Sequence, residues 1–383
     1  MAVTLQAIPQ ASFAAYTAAH KVPRRVWKAA HAVMRCRTAP LGGHVRRCPQ
    51  GHGTEIWYNS CRHRACPRCC SSRISQWLDH WQEQVLPTDH FHVIFTLPSE
   101  LHELWQWNRE AMTELLFTSV RETLGTWLGA TPGILAALHT WGRTLTLHPH
   151  VHCLVSGGGL DAEGQWRAVP TGFLLPVAVV RSLFRGKVLG AIEQLWFTGQ
   201  LQLPPHVDDD GIRRILVAAA RQPWNLRIAE RYSHGCGVMK YLARYVRGGP
   251  IKDHRFVSFD GEQVTFRYGN HRDLTEVGKP QQAELTLRVK EFLRRWSEHV
   301  PCPACIRCAR GACMPARSGR NSRSVECSCR DRRRHWDCRP QPRPLLPPTA
   351  TARGSGVRCA TTPWWSFRCW PARARRREWS HGR

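Results

Sequence analysis

Apolar residues along this chain recur with two periods. Residues 1 to about 35 carry Phe13, Tyr16, Val26, Trp27 and Val33 among Lys21, Arg24, Arg25 and Lys28, a pattern that predicts a helical start. Ile74, Trp77, Leu78 and Trp81 predict a helix over 71 to 87, closed by Pro87. Leu101, Leu104, Trp105, Leu115, Leu116, Val120, Leu124 and Leu128 predict a long amphipathic helix over 101 to 129, broken once. Further helices are predicted near 179 to 197, from Ile212 onward and over 285 to 296. Strands are predicted at 91 to 97, 134 to 147 and 147 to 155, with a hairpin at 255 to 259 and 263 to 268 turning on Asp260-Gly261. Strands interleaved with helices in this order predict an α+β fold, an antiparallel sheet with helices on one face.

The strand over 147 to 155 holds the densest chemistry. His150 and His152 are two apart, so both imidazoles leave one face of the strand, and His148 can join them. Such a pair is half of a divalent-metal site, or else two structural histidines. His90 and His92 repeat the spacing at the opening edge of their own strand and are read as structural. The three acids Asp208-Asp209-Asp210 are adjacent, so their carboxylates diverge; they read as a helix start.

Val238 to Val246 forms a second feature. Tyr241 and Tyr245 are four apart, which on a helix sets both phenols on one face; a core pair is the ordinary outcome of that spacing. Here the surroundings are basic. Lys240, Arg244 and Arg247 would favour a phenolate and attract a phosphate, and Gly248-Gly249-Pro250 ends the helix.

Between 36 and 70, Cys66-Pro67-Arg68-Cys69 has the spacing at which a tight turn aims two thiolates at one zinc ion. Cys48 and His52 supply a facing knuckle, with Cys61 and His63 as alternatives. The favoured set is Cys66, Cys69, Cys48 and one of Cys61 or His52. Four protein ligands leave no position for water, so this Zn²⁺ is expected to be structural. Arg62, Arg64, Arg68 and Arg73 surround it and mark the module as a DNA contact.

A formal charge of +27 over 383 residues suits a polyanionic partner better than a small-molecule substrate. No apolar run approaches a membrane span and no leader precedes the first helix, so a cytoplasmic, nucleoid-associated protein is expected, with no membrane partner. Seventeen cysteines beside His and Pro point to metal in a reducing compartment rather than disulfides. After about residue 300 the composition changes. Residues 301 to 383 hold nineteen arginines, no lysine, four acids and nine cysteines, without hydrophobic periodicity. That break predicts a disordered tail derived from a shifted reading frame, in which Cys302, Cys305 and Cys308 mimic a zinc motif. The expected division is a zinc-binding module over 1 to 87, a second domain over 88 to 300 that carries the histidine strand and the tyrosine pair, and this tail.

Taken in series, Arg47 to His52, Trp57 to Cys69, Phe91 to Pro98, His148 to Gly159 and Tyr241 to Tyr245 resemble the rolling-circle, two-tyrosine HUH transposases of insertion sequences that carry an N-terminal zinc-binding domain. Order and spacing agree from roughly residue 20 to 300. One departure is Gly51, where the family usually has a cysteine. The resemblance implies a ferredoxin-like HUH core that cleaves and rejoins DNA at single-stranded or hairpin element ends. Mg²⁺ or Mn²⁺ on His150 and His152 would polarise the phosphate, and Tyr241 or Tyr245 would form a 5′-phosphotyrosine. In many relatives a third ligand lies on the tyrosine helix; Lys240 and Arg244 cannot serve as one. Two rival readings are a zinc-dependent DNA-binding regulator without catalysis and a plasmid-type replication initiator using the same chemistry.

Overall fold

The computed structural model describes residues 3–69, 74–76, 78–79, 85–169, 176–232, 249–275 and 280–301, with the backbone of one further strand at Ser366–Trp370. Most of the helix expected over 71 to 87, and all of the tyrosine segment, lie outside the described residues.

The helical start is two helices, α1 (Ala7–Ala19) and α2 (Arg24–Arg35), because Pro23 opens the second. A hairpin follows, β1 (Gly43–Arg47) and β2 (Thr54–Tyr58). Strand β3 (His90–Thr96) leads to α3 (His102–Trp107) and α4 (Arg109–Leu128), which meet at Asn108, the predicted single break. The next pair, β4 (Thr131–Trp141) and β5 (Leu147–Leu160), differs from expectation at both ends. The stretch predicted as strand over 134 to 147 turns at 142 to 146, where Gly142 N–H donates to Thr146 O at 2.8 Å. Strand β5 continues past Val155 through three glycines. A Cβ at Gly158 would stand 2.5 Å from Arg167 O, and one at Gly159 would stand 2.8 Å from Thr131 O, so only glycine lets the neighbouring strands close on it there.

After β6 (Trp166–Ala168) come α5 (Val177–Phe197) and α6 (Asp209–Arg221), then β7 (Leu226–Tyr232). Asp208 accepts from Gly211 N–H at 2.7 Å, so the acid run is a helix cap as predicted. The sheet runs β4-β5-β3-β7, all antiparallel, with β6 on the far end of β5. One face buries Phe91, Val93, Phe95, Val151, Cys153 and Val155 against α4 and α5, forming the first core.

Beyond residue 249 the chain forms β8 (Phe256–Phe259), β9 (Gln263–Leu274), β10 (Pro280–Arg288) and α7 (Val289–Glu298). The helix expected over 285 to 296 therefore begins only at Val289. Ala283, Leu285 and Leu287 fall on every second position and pair with β9, which is the strand period. In the second core, Ile8, Phe13 and Val26 of the first two helices pack with Cys66, Cys69, Ile251, Phe266, Phe292 and Trp296. Residues 249 to 301 thus share a core with the zinc module. The expected 88 to 300 unit is divided between two cores. Strand β11 (Ser366–Trp370), the part of the tail that is described, pairs antiparallel with β1. No described helix is long and apolar enough to cross a membrane.

The turn between β4 and β5 joins the two cores. Leu145 is fully buried in the second one, at a left-handed φ of 60°. Around it, His299 Nε2 donates to Leu145 O (2.9 Å), Arg295 to Thr144 O (2.9 Å) and Arg255 to Arg143 O (2.8 Å). Burial of the isobutyl group outweighs the roughly 1 kcal/mol of left-handed strain. Leu145→Ala should cost about 2–5 kcal/mol of stability. Leu145→Gly, which relieves the strain but leaves the same void, should still be less stable than wild type; chemical denaturation of the three proteins checks this order.

Candidate functional site

On the sheet face opposite the first core, register brings three histidines together. His150 lies across from His139 on β4, and His152 lies across from Ala137. Directly paired residues on antiparallel strands share a face, so His139 joins the predicted pair. One ligand nitrogen from each of His139, His150 and His152 lies within 4.8 Å of the other two. Sequence periodicity alone missed His139, since its strand is otherwise apolar; only the β4–β5 register supplies it. His139 thus offers a third donor from β4, a strand rather than the tyrosine helix.

These imidazoles are held neutral, the form that binds metal. Burial pushes His150 down to about 4 and, with His150 and His92 nearby, His152 down to about 2. Burial also lowers His139 well below its usual value, helped by His152, His150, His92 and the Arg64 guanidinium. Tautomers are set by neighbours: His150 Nδ1–H donates to His148 O at 2.6 Å, which leaves Nε2 for a cation. His92 Nε2 and His152 Nδ1 share a hydrogen bond of 2.9 Å, so His92, read as structural, is buried beside the trio and orients one of its members. His90 instead bonds Thr88 O.

Two guanidiniums face this cluster. Arg64, on the cysteine loop, is close enough to disfavour a charged His139. Arg227 of β7 is exposed opposite Ile94, which itself lies opposite His152. Two strand spacings place it about 10 Å from the His152 strand, a span suited to a phosphate of bound nucleic acid.

The second cluster is Cys36, Cys61, Cys66 and Cys69, with all four sulfurs within 4.8 Å of one another. Sulfur separations of 3.4 Å (Cys36–Cys69), 3.6 Å (Cys61–Cys69) and 3.6 Å (Cys36–Cys66) approach the roughly 3.8 Å edge of a tetrahedron built on 2.3 Å zinc–sulfur bonds. Cys36, Cys48, Cys61, Cys66, Cys69 and Cys153 are all free thiols. Within the cluster, the Cys61 thiol hydrogen bond pushes Cys66 down to about 5, while burial pushes Cys36 up to about 11. A buried thiolate packed among thiols fits a soft divalent cation.

This grouping differs from the expected ligand set. Cys36, not Cys48, completes the quartet, because it ends α2 beside Cys61, where Arg37 N–H donates to Asn59 O at 3.1 Å. Cys48 and His52 sit on the turn at the far end of the β1–β2 hairpin, five residues or on the order of 15 Å away. There they contact each other at 3.7 Å. Cys36 has no partner at two-residue spacing, so motif reading passed it over.

The arginines divide. Arg62 is exposed at φ 52°, while Arg68 is tied to Asp253 (3.4 Å) and Gln6 (3.0 Å) and so also has a structural role. Arg73, Lys240, Arg244, Arg247, Tyr241 and Tyr245 lie outside the described residues. The two ends of the tyrosine segment are placed, however. Tyr232 closes β7 on the histidine sheet, and a Cβ at Gly249 would stand 3.2 Å from Ala65 O on the cysteine loop. Zinc content of purified protein distinguishes the two ligand sets. Cys36→Ser should lose most of its bound zinc, and Cys48→Ser should retain one ion per chain; equal loss from both would contradict the quartet.

Residues 133–312 match the family model described as "Putative transposase", and residues 8–97 match the one described as "Transposase zinc-binding domain". "Putative transposase y4qJ" of Sinorhizobium fredii is 37% identical over 298 residues, 75% of this chain and 73% of that protein. The transposase for insertion sequence element IS801 of Pseudomonas savastanoi pv. phaseolicola is 30% identical over 286 residues, 70% of this chain and 65% of that protein. Among solved structures, the metal-bound conjugative relaxase TrwC in complex with OriT DNA aligns at 11% identity with a TM-score of 0.25, over 64% of this chain and 96% of that one. The two family matches span both clusters and the relatives extend across most of the chain: it belongs to the rolling-circle, two-tyrosine HUH transposases of insertion sequences, in the branch with an N-terminal zinc-binding domain.

Proposed function

We propose that this transposase cleaves and rejoins single-stranded DNA at the ends of its element through a 5′-phosphotyrosine, using Tyr241 or Tyr245 as nucleophile and His139, His150 and His152 as holders of Mg²⁺ or Mn²⁺. The observation that carries this reading is the convergence of three neutral imidazoles, His139 and His152 buried and His150 half-buried, on one sheet face. A divalent ion there would supply Lewis-acid polarisation of the scissile phosphate. The chain's own residues do the rest. His148 O and His92 fix the ring orientations, so the ligand nitrogens need no reorganisation. Arg227 and Arg64 add positive charge where a phosphate would sit.

In the covalent step the phenol loses its proton and its oxygen bonds phosphorus. The bond from phosphorus to the 3′ oxygen breaks, and that oxygen takes up a proton as the free 3′-hydroxyl. The phosphotyrosine ester conserves the energy of the broken bond for later rejoining. A second tyrosine one helical turn away can take the second cleavage. The quartet would act through structure: closed by four sulfurs, it fixes the loop on which Gly249, at the exit of the tyrosine segment, rests.

The test is a denaturing gel of the protein with labelled single strands from the element ends and Mn²⁺. A covalent adduct should form with wild type, persist in Tyr241→Phe and in Tyr245→Phe, and vanish in the double variant. His139→Ala should lower adduct yield at subsaturating Mn²⁺ by at least about tenfold. DNA bound by folded wild-type protein without any adduct would favour a binding protein that does no chemistry.

A further inference from the structure

A cleft of about 560 Å³ opens between the start of α2, in the second core, and the α3–α4 break, in the first. It contains none of the clustered histidines or cysteines. Its walls carry Arg24, Arg25, Gln106, Trp107, Gln200 and Gln202. The size falls within the range of sites that enclose a small ligand or a nucleotide.

The lining combines three kinds of group. Trp107 is 46% exposed, presenting an indole face in a predominantly polar wall. Arg24 is exposed, and Arg25 holds a buried Nε without a hydrogen-bond partner among the described residues. Gln200 and Gln202 are exposed carboxamides, each able to donate to and accept from a base edge. The floor is rigid. Asn108, itself buried, donates to Leu104 O (3.0 Å) and Gln202 O (2.7 Å) and accepts from Gln202 N–H (2.7 Å). Arg109 donates to Glu298 O, which commits that guanidinium to the fold, and Glu110 is the one acid of the wall.

We propose that this cleft is a subsite for single-stranded DNA, in which Trp107 stacks on a base while Arg24 and Arg25 hold the adjoining phosphates. An indole beside cations is the arrangement by which unpaired bases are gripped, because every base has a face to stack and its backbone brings the charge. Gln200 and Gln202 then give the site its base preference. The proposal rests on the reading that the polyanion is DNA, and it needs neither the histidine trio nor the tyrosines.

Photocrosslinking tests it directly on the full chain. Oligothymidylate carrying 5-iododeoxyuridine is irradiated with wild-type protein, and adducts are mapped by mass spectrometry. The peptide bearing Trp107 should carry the adduct, and unlabelled single strand should compete it away. Trp107→Ala should weaken oligothymidylate binding about tenfold, while Trp127→Ala, an exposed indole farther along α4, should not. The Arg24→Gln/Arg25→Gln double variant should reduce the slope of log affinity against log salt by about 1.4 for two phosphates. Crosslinks confined to other peptides, or unchanged binding by Trp107→Ala, would overturn the proposal. The outcomes separate it from the cleavage chemistry. A Trp107 crosslink without a phosphotyrosine adduct supports the subsite and removes the nuclease reading, whereas an adduct without that crosslink does the reverse.

Discussion

The arrangement depends above all on the register of β4 against β5. Pairing His139 with His150 puts a third imidazole beside the two that β5 supplies, and a slip of one residue would turn the β4 histidine to the packed face. Two devices hold that register. The β5 glycines admit β6 and β4 at distances no side chain allows, and Leu145 anchors the connecting turn in a different core. The histidine cluster is therefore specified by packing at both ends of the hairpin, not by contacts among the histidines.

The two cores hold the histidine cluster and the cysteine cluster in different ways. The histidines stand on a sheet whose other face is a continuous apolar core, so their backbone is rigid and their geometry preset. The cysteines come from a helix end and a loop at the second core rather than from one sheet, and a cation held by all four would tie those separate pieces together. The residues after 249 settle on this cysteine loop: Ile251 is buried with Cys66 and Cys69, and Asp253 takes Arg68 and the backbone N–H of Leu5. The segment holding the two tyrosines is thus tethered to the histidine sheet at one end and to the cysteine loop at the other.

Much of this was legible in the sequence where chemistry follows from local period. The same-face pair His150 and His152, the Cys66–Cys69 knuckle, a single break within the helix over 101 to 129 and the helix start at the Asp208 run all depend on residues within a few positions of one another. His139 and Cys36 were not legible, since each is brought in by a long-range contact: one by strand register, the other by a helix end meeting a loop. The same limit explains the split of 88 to 300. Periodicity identifies which face of an element is apolar but not which core receives it, and residues 251 to 300 have ordinary amphipathic patterns that would suit either. At 285 to 288 the strand and helix periods both fit so short a run, and pairing with β9 decided between them.

The shared second core also sets an order of events during synthesis. The histidine sheet is complete in sequence by Tyr232, so it can close while the ribosome is still adding the later residues. The helices at the N-terminus cannot complete the burial of their apolar faces until Phe292 and Trp296 have emerged. The first module to be translated is therefore completed only late in synthesis.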